Sequence, residues 1–158
     1  MKKRNFKFLF VCSGDTCRSP MANVIFRAKV KRFGIHGVTS SSAGLFVTSE
    51  KDMTKDAREA LKFLGYRAGR HTAVQIDQKR IDKADIILTM TLDHKQSIVS
   101  KYNCADKTFS LSEFADLEGR EVSDPYGKGR AAYIKCAKMI DYLVDEMIKR
   151  LNREDIIK

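Results

Sequence analysis

The stretch that decides the fold is residues 8–20, which read FLFVCSGDTCRSP. Its apolar start, residues 8–11, is typical of a strand buried on both faces, as strands of parallel sheets are. The run ends at Cys12, and Ser19 and Pro20 then predict a helix start, with Ser19 as the N-cap and Pro20 at the first helical position. A thiol at the end of a strand therefore faces a helix N-terminus across a tight loop, which is a geometry that binds anions.

Apolar runs alternate with amphipathic segments along the rest of the chain. Further strands are predicted at residues 38–42, 85–90 and 108–111. Helices are predicted from Ser19 to about residue 33 and at residues 54–64, 77–83, 92–102 and 130–151, and a long loop at residues 112–129. The alternation predicts an α/β three-layer sandwich, with a four-stranded parallel sheet and helices on both faces. In such sheets ligands bind at the carboxyl ends of the strands, where Cys12 lies.

Size and composition predict one soluble domain that covers residues 1–158. No apolar run approaches the ~18 residues that span a bilayer, and the apolar stretch at residues 6–11 is too short for a signal peptide. We therefore expect a cytoplasmic protein with no membrane partner. The four cysteines and three histidines match no zinc-binding spacing, so reduced thiols and no metal are expected.

The formal net charge of +10 comes with basic clusters at residues 2–4, 27–32 and 79–83. Such clusters usually line solvated helix faces, and their summed field also attracts anionic partners. No known nucleic-acid-binding motif accompanies them. We therefore expect no nucleic-acid partner.

Cys12 and Arg18 have the spacing C-x5-R, in which every part of the loop suits a phosphoryl group. Backbone N–H groups of the curled loop bind a dianion, and the planar guanidinium of Arg18 matches two phosphate oxygens. The same positive environment is expected to lower the pKa of Cys12 and make it a nucleophile, while the hydroxyl of Ser19 stabilises the thiolate. The predicted phosphate-binding residues are Ser13, Gly14, Asp15, Thr16, Cys17 and Arg18.

Attack by sulfur on phosphorus also needs an acid that protonates the leaving group. Asp124 lies in the long loop before the last helix and is followed by Pro125 and Tyr126. Asp-Pro-Tyr alone is more often a plain turn, but together with C-x5-R-S it predicts a general acid that later acts as general base. Phe46 and Tyr126 are candidates for the walls of the pocket.

Cys17 has two open interpretations. It could simply pack within the loop, or it could trap an oxidised Cys12 as a disulfide and so protect it from irreversible oxidation.

Both motifs closely resemble those of the low-molecular-weight protein tyrosine phosphatases. The family pattern V-C-x-G-N-x-C-R-S-P appears here as residues 11–20, and its D-P-[YF] loop as residues 124–126; residues 42–44 and 87–90 also look familial. The resemblance implies a flavodoxin-like fold, a phosphocysteine intermediate on Cys12, and no metal or other cofactor. The expected partners are phosphorylated proteins, and the expected oligomeric state is a monomer.

The resemblance further implies that Ser19, Ser42 and His71 brace the loop, and it exposes one departure. The family has Asn where this chain has Asp15. Both residues tolerate a left-handed backbone, but an ionised Asp15 places negative charge beside the thiolate and the phosphate. We therefore predict that Asp15 raises the pKa of Cys12 and that the enzyme is slower at neutral pH than an Asp15→Asn variant.

Ser13 leaves the substrate open. Phosphotyrosine enzymes of the family usually carry an aliphatic residue after the nucleophile, whereas Ser13 resembles the Thr of the protein arginine phosphatase branch. Residues 42–46 and 89–96 also look like that branch. The alternative is that Ser13 only lines a permissive pocket. Phosphotyrosine is the default of the family and phosphoarginine the alternative substrate.

Two other classes of function share parts of this sequence pattern. An arsenate reductase on this fold needs two further cysteines in relay near the loop, and Cys104 and Cys136 lie on later elements without that pairing. A catalytically idle protein that only binds phosphorylated ligands would follow if Asp15 disabled the loop. The joint presence of Cys12, Arg18 and Asp124 argues against it.

Overall fold

The computed structural model describes residues 5–154, which contain a four-stranded parallel sheet. The strands are β1 (Phe6–Cys12), β2 (Val38–Gly44), β3 (Ile86–Thr89) and β4 (Thr108–Ser110). Their order in the sheet is β2-β1-β3-β4, and every neighbouring pair is parallel. The predicted sheet is confirmed; the basic residues 2–4 lie outside the described part of the chain.

The helices follow the predicted alternation, with one addition. They are α1 (Arg18–Arg32), α2 (Lys55–Phe63), α3 (Gln78–Lys83), α4 (Leu92–Lys101), α5 (Leu111–Phe114) and α6 (Arg130–Arg153). No helix within residues 5–154 is long and apolar enough to cross a membrane.

Helix α5 lies in the segment predicted as a long loop, so that prediction was wrong at its start. The hydroxyl of Ser110 accepts the N–H of Glu113 at 3.1 Å, and the Glu113 carboxylate accepts the N–H of Ser110 at 2.9 Å. This reciprocal capping box satisfies donors that a first helical turn leaves free, which lets even a four-residue helix form.

The start of α1 also differs from the prediction. The helix begins at Arg18, and Cys17 occupies the N-cap position without a side-chain cap, so Ser19 is not the N-cap. The hydroxyl of Ser19 lies instead 2.9 Å from the Cys12 sulfur and 2.7 Å from the Asp15 carboxylate. Ser19 therefore serves the loop before the helix rather than the backbone of the helix.

Successive residues of β1 enter two separate apolar cores, because side chains alternate across a sheet. Phe8 and Phe10 pack with residues of α1, α2 and α6 on one face. Leu9 and Val11 pack with residues of α3 and α4 on the other. Helices thus cover both faces, which is the predicted three-layer sandwich.

The strand order places the site. The chain leaves β1 towards β2 on one side and later returns to β3 on the other, so the connections diverge at the carboxyl end of β1. Ligands bind at such a switch point in open α/β sheets. Cys12 is the last residue of β1 and is paired in register with Gly44, the last residue of β2.

Candidate active site

Residues 12–18 form a loop whose carbonyl groups are bonded by neighbouring segments. The carbonyl of Cys12 accepts the N–H of Leu45 at 3.0 Å, and that of Ser13 accepts the N–H of Phe46 at 2.8 Å. In a trans peptide the C=O and N–H point in opposite directions. These outward carbonyls therefore turn the N–H groups of Ser13 and Gly14 towards the inside of the loop, where an anion binds.

Arg18 connects this loop to the segment that carries Asp124. The Arg18 side chain is buried, and it donates to the carbonyl of Val122 at 3.1 Å and to the hydroxyl of Ser13 at 3.3 Å. Its Nη2 lies 3.8 Å from Oδ2 of Asp124, a carboxylate whose side chain is 56% exposed. The structure thus brings together the three residues that the sequence assigned to the reaction, Cys12, Arg18 and Asp124.

A cleft of about 670 Å³ opens over the loop. The two predicted wall residues both line it, and both are largely exposed, Phe46 at 74% and Tyr126 at 71%. Glu50 and Asp52 place carboxylates in the same lining, and Met53 adds an apolar surface. The cleft therefore joins exposed aromatic side chains to the loop that carries Cys12.

The electrostatics of Cys12 are set by burial and by three neighbours. Burial raises the pKa of its thiol, hydrogen bonds from Ser19 and the charge of Arg18 act in the lowering direction, and the charge of Asp15 raises the pKa further. The net direction is upward, opposite to the lowering that the sequence predicted from the positive loop, because desolvation outweighs the neighbours that stabilise a thiolate.

Asp15 is the centre of the predicted bracing network. It is completely buried with a positive φ of 56°, a backbone conformation that Asp and Asn adopt more readily than most residues. Its carboxylate accepts the hydroxyl of Ser19 at 2.7 Å and the N–H of Val74 at 3.1 Å, and it is hydrogen-bonded to Ser42. The Nε2 of His71 lies 2.7 Å from its backbone carbonyl. The three bracing residues therefore meet around the residue that departs from the family pattern.

His94 is a site residue that sequence analysis missed. Its Nε2 lies 2.9 Å from the Ser13 hydroxyl, its side chain is only 8% exposed, and its Nδ1 has no hydrogen-bond partner within the described chain. Burial, together with the charge of Arg18, lowers its pKa to about 4, so it is neutral at pH 7. The sequence signal that could have identified His94 was its position in the first turn of α4, the helix that follows β3 at the switch point. Thr91 caps this helix.

The four cysteines are buried free thiols. Cys17 lines the cleft, with its sulfur 3.4 Å from the Tyr133 hydroxyl and 3.5 Å from the Thr54 hydroxyl. Cys104 belongs to the opposite apolar core, and the Cys136 sulfur contacts the carbonyl of Ser123 at 3.9 Å. The protective pairing of Cys17 with the nucleophile stays a prediction.

Known proteins resemble this chain along nearly its whole length. The model of the family described as low molecular weight phosphotyrosine protein phosphatase matches residues 7–156. A protein-arginine-phosphatase of Bacillus subtilis is 34% identical over 147 residues, which cover 92% of this chain and 97% of that protein. A low molecular weight protein-tyrosine-phosphatase of Staphylococcus epidermidis is 36% identical over 142 residues, covering 89% and 96%. The crystal structure of a low molecular weight protein tyrosine phosphatase from T. tengcongensis, 40% identical, superimposes with a TM-score of 0.87 and covers 93% of this chain and all of that one.

Proposed function

The chain belongs to the low molecular weight phosphotyrosine protein phosphatase family, and from that premise we propose that it hydrolyses phosphotyrosine in proteins through a phosphocysteine intermediate on Cys12. The observation that supports this most is the position of Arg18, which bonds Ser13 of the loop and lies 3.8 Å from the Asp124 carboxylate. One guanidinium is thereby placed to contact a phosphoryl group between the nucleophile and the acid.

In the first step the Cys12 thiolate attacks phosphorus while inward N–H groups of the loop and Arg18 hold the phosphoryl oxygens. The P–S bond forms as the P–O bond to tyrosine breaks, and Asp124 gives its proton to the departing oxygen. In the second step the Asp124 carboxylate takes a proton from water, whose oxygen attacks phosphorus. The P–S bond breaks, phosphate leaves, and the thiolate returns to its place beside Ser19.

Phosphoarginine is a second candidate substrate, which the polar lining of the cleft favours. Thr16 lines the cleft, and its hydroxyl makes a weak 3.8 Å contact with the sulfur of Cys17. The Ser13 hydroxyl, by contrast, already bonds Arg18 and His94. We therefore propose Thr16, rather than Ser13, as the hydroxyl that meets a guanidino group, with Asp124 protonating the nitrogen as the P–N bond breaks.

The cellular setting is also a proposal. We propose a monomeric enzyme of the cytoplasm that acts on phosphorylated proteins, and the four buried free thiols support a reducing compartment. Size-exclusion chromatography with light scattering tests the oligomeric state.

The test compares kcat/KM on two peptides that differ only in carrying phosphotyrosine or phosphoarginine. Cys12→Ser should abolish both reactions, and Asp124→Asn should lower kcat by about 10²–10⁴-fold. If Thr16 selects the guanidino group, Thr16→Val should lower activity on phosphoarginine more than on phosphotyrosine, and Ser13→Ala should not show that difference. Hydrolysis that survives Cys12→Ser would refute the mechanism, and binding without turnover would support the idle binder.

A further inference from the structure

Ser19 lies between two groups that both bind protons. Its hydroxyl oxygen is 2.9 Å from the sulfur of Cys12 and 2.7 Å from Oδ1 of Asp15, and all three side chains are buried. A serine hydroxyl has one proton to donate. If Cys12 and Asp15 were both ionised, one of these buried anions would lack the Ser19 hydrogen bond. The geometry therefore favours a pair that keeps one proton.

The hydrogen-bond directions are consistent with a proton on the thiol at rest. When Asp15 is ionised, Ser19 donates to the carboxylate, and the S–H of Cys12 then donates to the oxygen of Ser19. The thiol, the hydroxyl and the carboxylate form a continuous chain of two hydrogen bonds. The remaining carboxylate oxygen of Asp15, Oδ2, is held by the N–H of Val74 at 3.1 Å, which fixes the orientation of the carboxylate.

We propose that Asp15 is the internal proton acceptor for Cys12, reached through Ser19, in a relay that rests on the proposed function of Cys12 as nucleophile. The S–H bond of Cys12 breaks as its proton passes to the Ser19 oxygen, and the Ser19 O–H bond breaks as its proton passes to Asp15. The electron pair stays on sulfur, Ser19 remains neutral, and Asp15 becomes a carboxylic acid. The total charge of the pair does not change.

Conservation of charge is what makes the relay useful. A phosphoester dianion must approach the sulfur of Cys12 once that sulfur has become a thiolate. If the thiol proton went to solvent while Asp15 stayed ionised, the pair would carry two negative charges; with the proton on Asp15 it carries one. Burial raises the pKa of both the Cys12 thiol and the Asp15 carboxyl, so it favours the protonated form of each, whereas Ser19 and Arg18 favour the thiolate.

Among residues 5–154, few other charged groups face the pair. His71 approaches from the segment before α3, but its Nε2 is bonded to the Asp15 backbone carbonyl at 2.7 Å and lies 3.8 Å from the carboxylate. Arg18 acts from α1, on the side of Cys12. Strand β2 contributes Ser42, which is not titratable in this range, so the thiol is the neighbour best placed to exchange a proton with Asp15.

Alkylation of Cys12 by iodoacetamide, followed against pH by mass spectrometry, tests the relay. In the wild type the rate should rise in two steps, because the first proton lost from the pair gives a partial thiolate and the second a full one. Asp15→Asn keeps the shape and the left-handed backbone but cannot accept a proton, and should titrate in one step. Ser42→Ala removes a hydrogen bond to Asp15 but leaves Cys12, Ser19 and Asp15 unchanged, so it should retain two steps. A one-step curve for the wild type, shifted but of the same shape as that of Asp15→Asn, would overturn the relay.

The kinetics of the same two proteins give a second readout. The ratio of their kcat/KM values cancels the titration of the substrate. It should favour the wild type by about tenfold at acid pH, where the relay still supplies thiolate, and Asp15→Asn by about tenfold at alkaline pH, where the wild-type pair carries two charges. A ratio that does not vary with pH would contradict the proposal.

A spectroscopic test of the relay uses the wild-type protein alone. Orthovanadate forms a bond with the nucleophilic sulfur, so the thiol proton must move. Infrared difference spectra should then show the C=O band of a protonated carboxylic acid in the wild type, and its absence would refute the relay. If Cys12→Ser still hydrolyses p-nitrophenyl phosphate, the proposed function itself fails; if that variant is inactive but the band is missing, only the relay fails.

Discussion

Gly44→Ala should displace the phosphate-binding loop without touching any reacting group. A Cβ built on Gly44 lies 2.8 Å from the carbonyl oxygen of Ser13, 2.9 Å from the carbonyl carbon of Gly14 and 3.0 Å from the backbone nitrogen of Asp15. All three are backbone atoms, so no side-chain rotation relieves the contacts. Either the loop or the end of β2 must move.

The size of the displacement follows from ordinary contact distances. Non-bonded heavy atoms settle at about 3.5–4.0 Å, so the loop must retreat by about 0.5–1 Å. Misplacement of a catalytic array by about 1 Å lowers the rate on the order of 10²-fold, which corresponds to about 2.7 kcal/mol in the activation barrier. Overpacking should also lower the free energy of unfolding by about 1–3 kcal/mol.

The measurement is kcat/KM on p-nitrophenyl phosphate together with urea unfolding. Gly69→Ala is the matched control, since a Cβ there meets nothing within 4 Å, and it should leave kcat/KM within a factor of two and the free energy of unfolding within about 0.5 kcal/mol. The loss in Gly44→Ala should exceed tenfold at temperatures where the variant is fully folded. Activity equal to that of Gly69→Ala in a folded Gly44→Ala protein would show that the close approach of β2 does not position the loop.

Three further predictions concern stability and redox behaviour. The pKa of His94 is lowered to about 4, whereas a histidine in an unfolded chain titrates at about 6.5. The unfolded chain therefore binds the extra proton, and the free energy of unfolding should fall as the pH drops from about 6.5 to about 4. Urea unfolding of His94→Asn should show a weaker fall. Lys29 bonds Asp145 at 2.5 Å and lies 3.1 Å from Asp141. Lys29→Met should lower the free energy of unfolding by about 1–3 kcal/mol, which is less than for a fully buried pair because both carboxylates are partly exposed. An unchanged urea midpoint would contradict this prediction. If Cys17 protects the nucleophile, dithiothreitol should restore activity after peroxide treatment in the wild type but not in Cys17→Ser.

The fold and the location of the site were predictable because they depend on patterns that local sequence carries. A continuous apolar run that ends at Cys12 indicates a buried parallel strand, and the spacing to Arg18 places the guanidinium on the first residue of the next helix. Asp124 could be assigned only because its motif occurs together with C-x5-R. Its 3.8 Å approach to Arg18 depends on long-range packing, which the spacing does not encode.

The side-chain roles that sequence analysis did not predict depend on which hydrogen-bond partners the serine hydroxyls find in the folded chain. A contact between the Ser19 hydroxyl and Cys12 was expected from the sequence, and the two atoms lie 2.9 Å apart. The N-cap role predicted from the proline after Ser19 was wrong, because the hydroxyl donates to the Asp15 carboxylate at 2.7 Å instead. His94 stayed unnoticed for a similar reason, since its partner Ser13 lies 81 positions away. Local propensity cannot choose among hydrogen-bond partners that only tertiary structure supplies.

Two serines near the nucleophile, Ser13 and Ser19, each hydrogen-bond a buried titratable residue. Ser19 bonds Asp15, and Ser13 lies 2.9 Å from the Nε2 of His94. Burial favours the neutral form of both titratable residues, since it raises the pKa of Asp15 and lowers that of His94. Within residues 12–18, a protonated Asp15 leaves Arg18 and the thiolate as the charged groups that an incoming phosphate meets, and the neighbouring His94 is neutral. An ionised Asp15 would weaken the attraction of Arg18 for the phosphate, so the affinity of the loop depends on where the thiol proton goes.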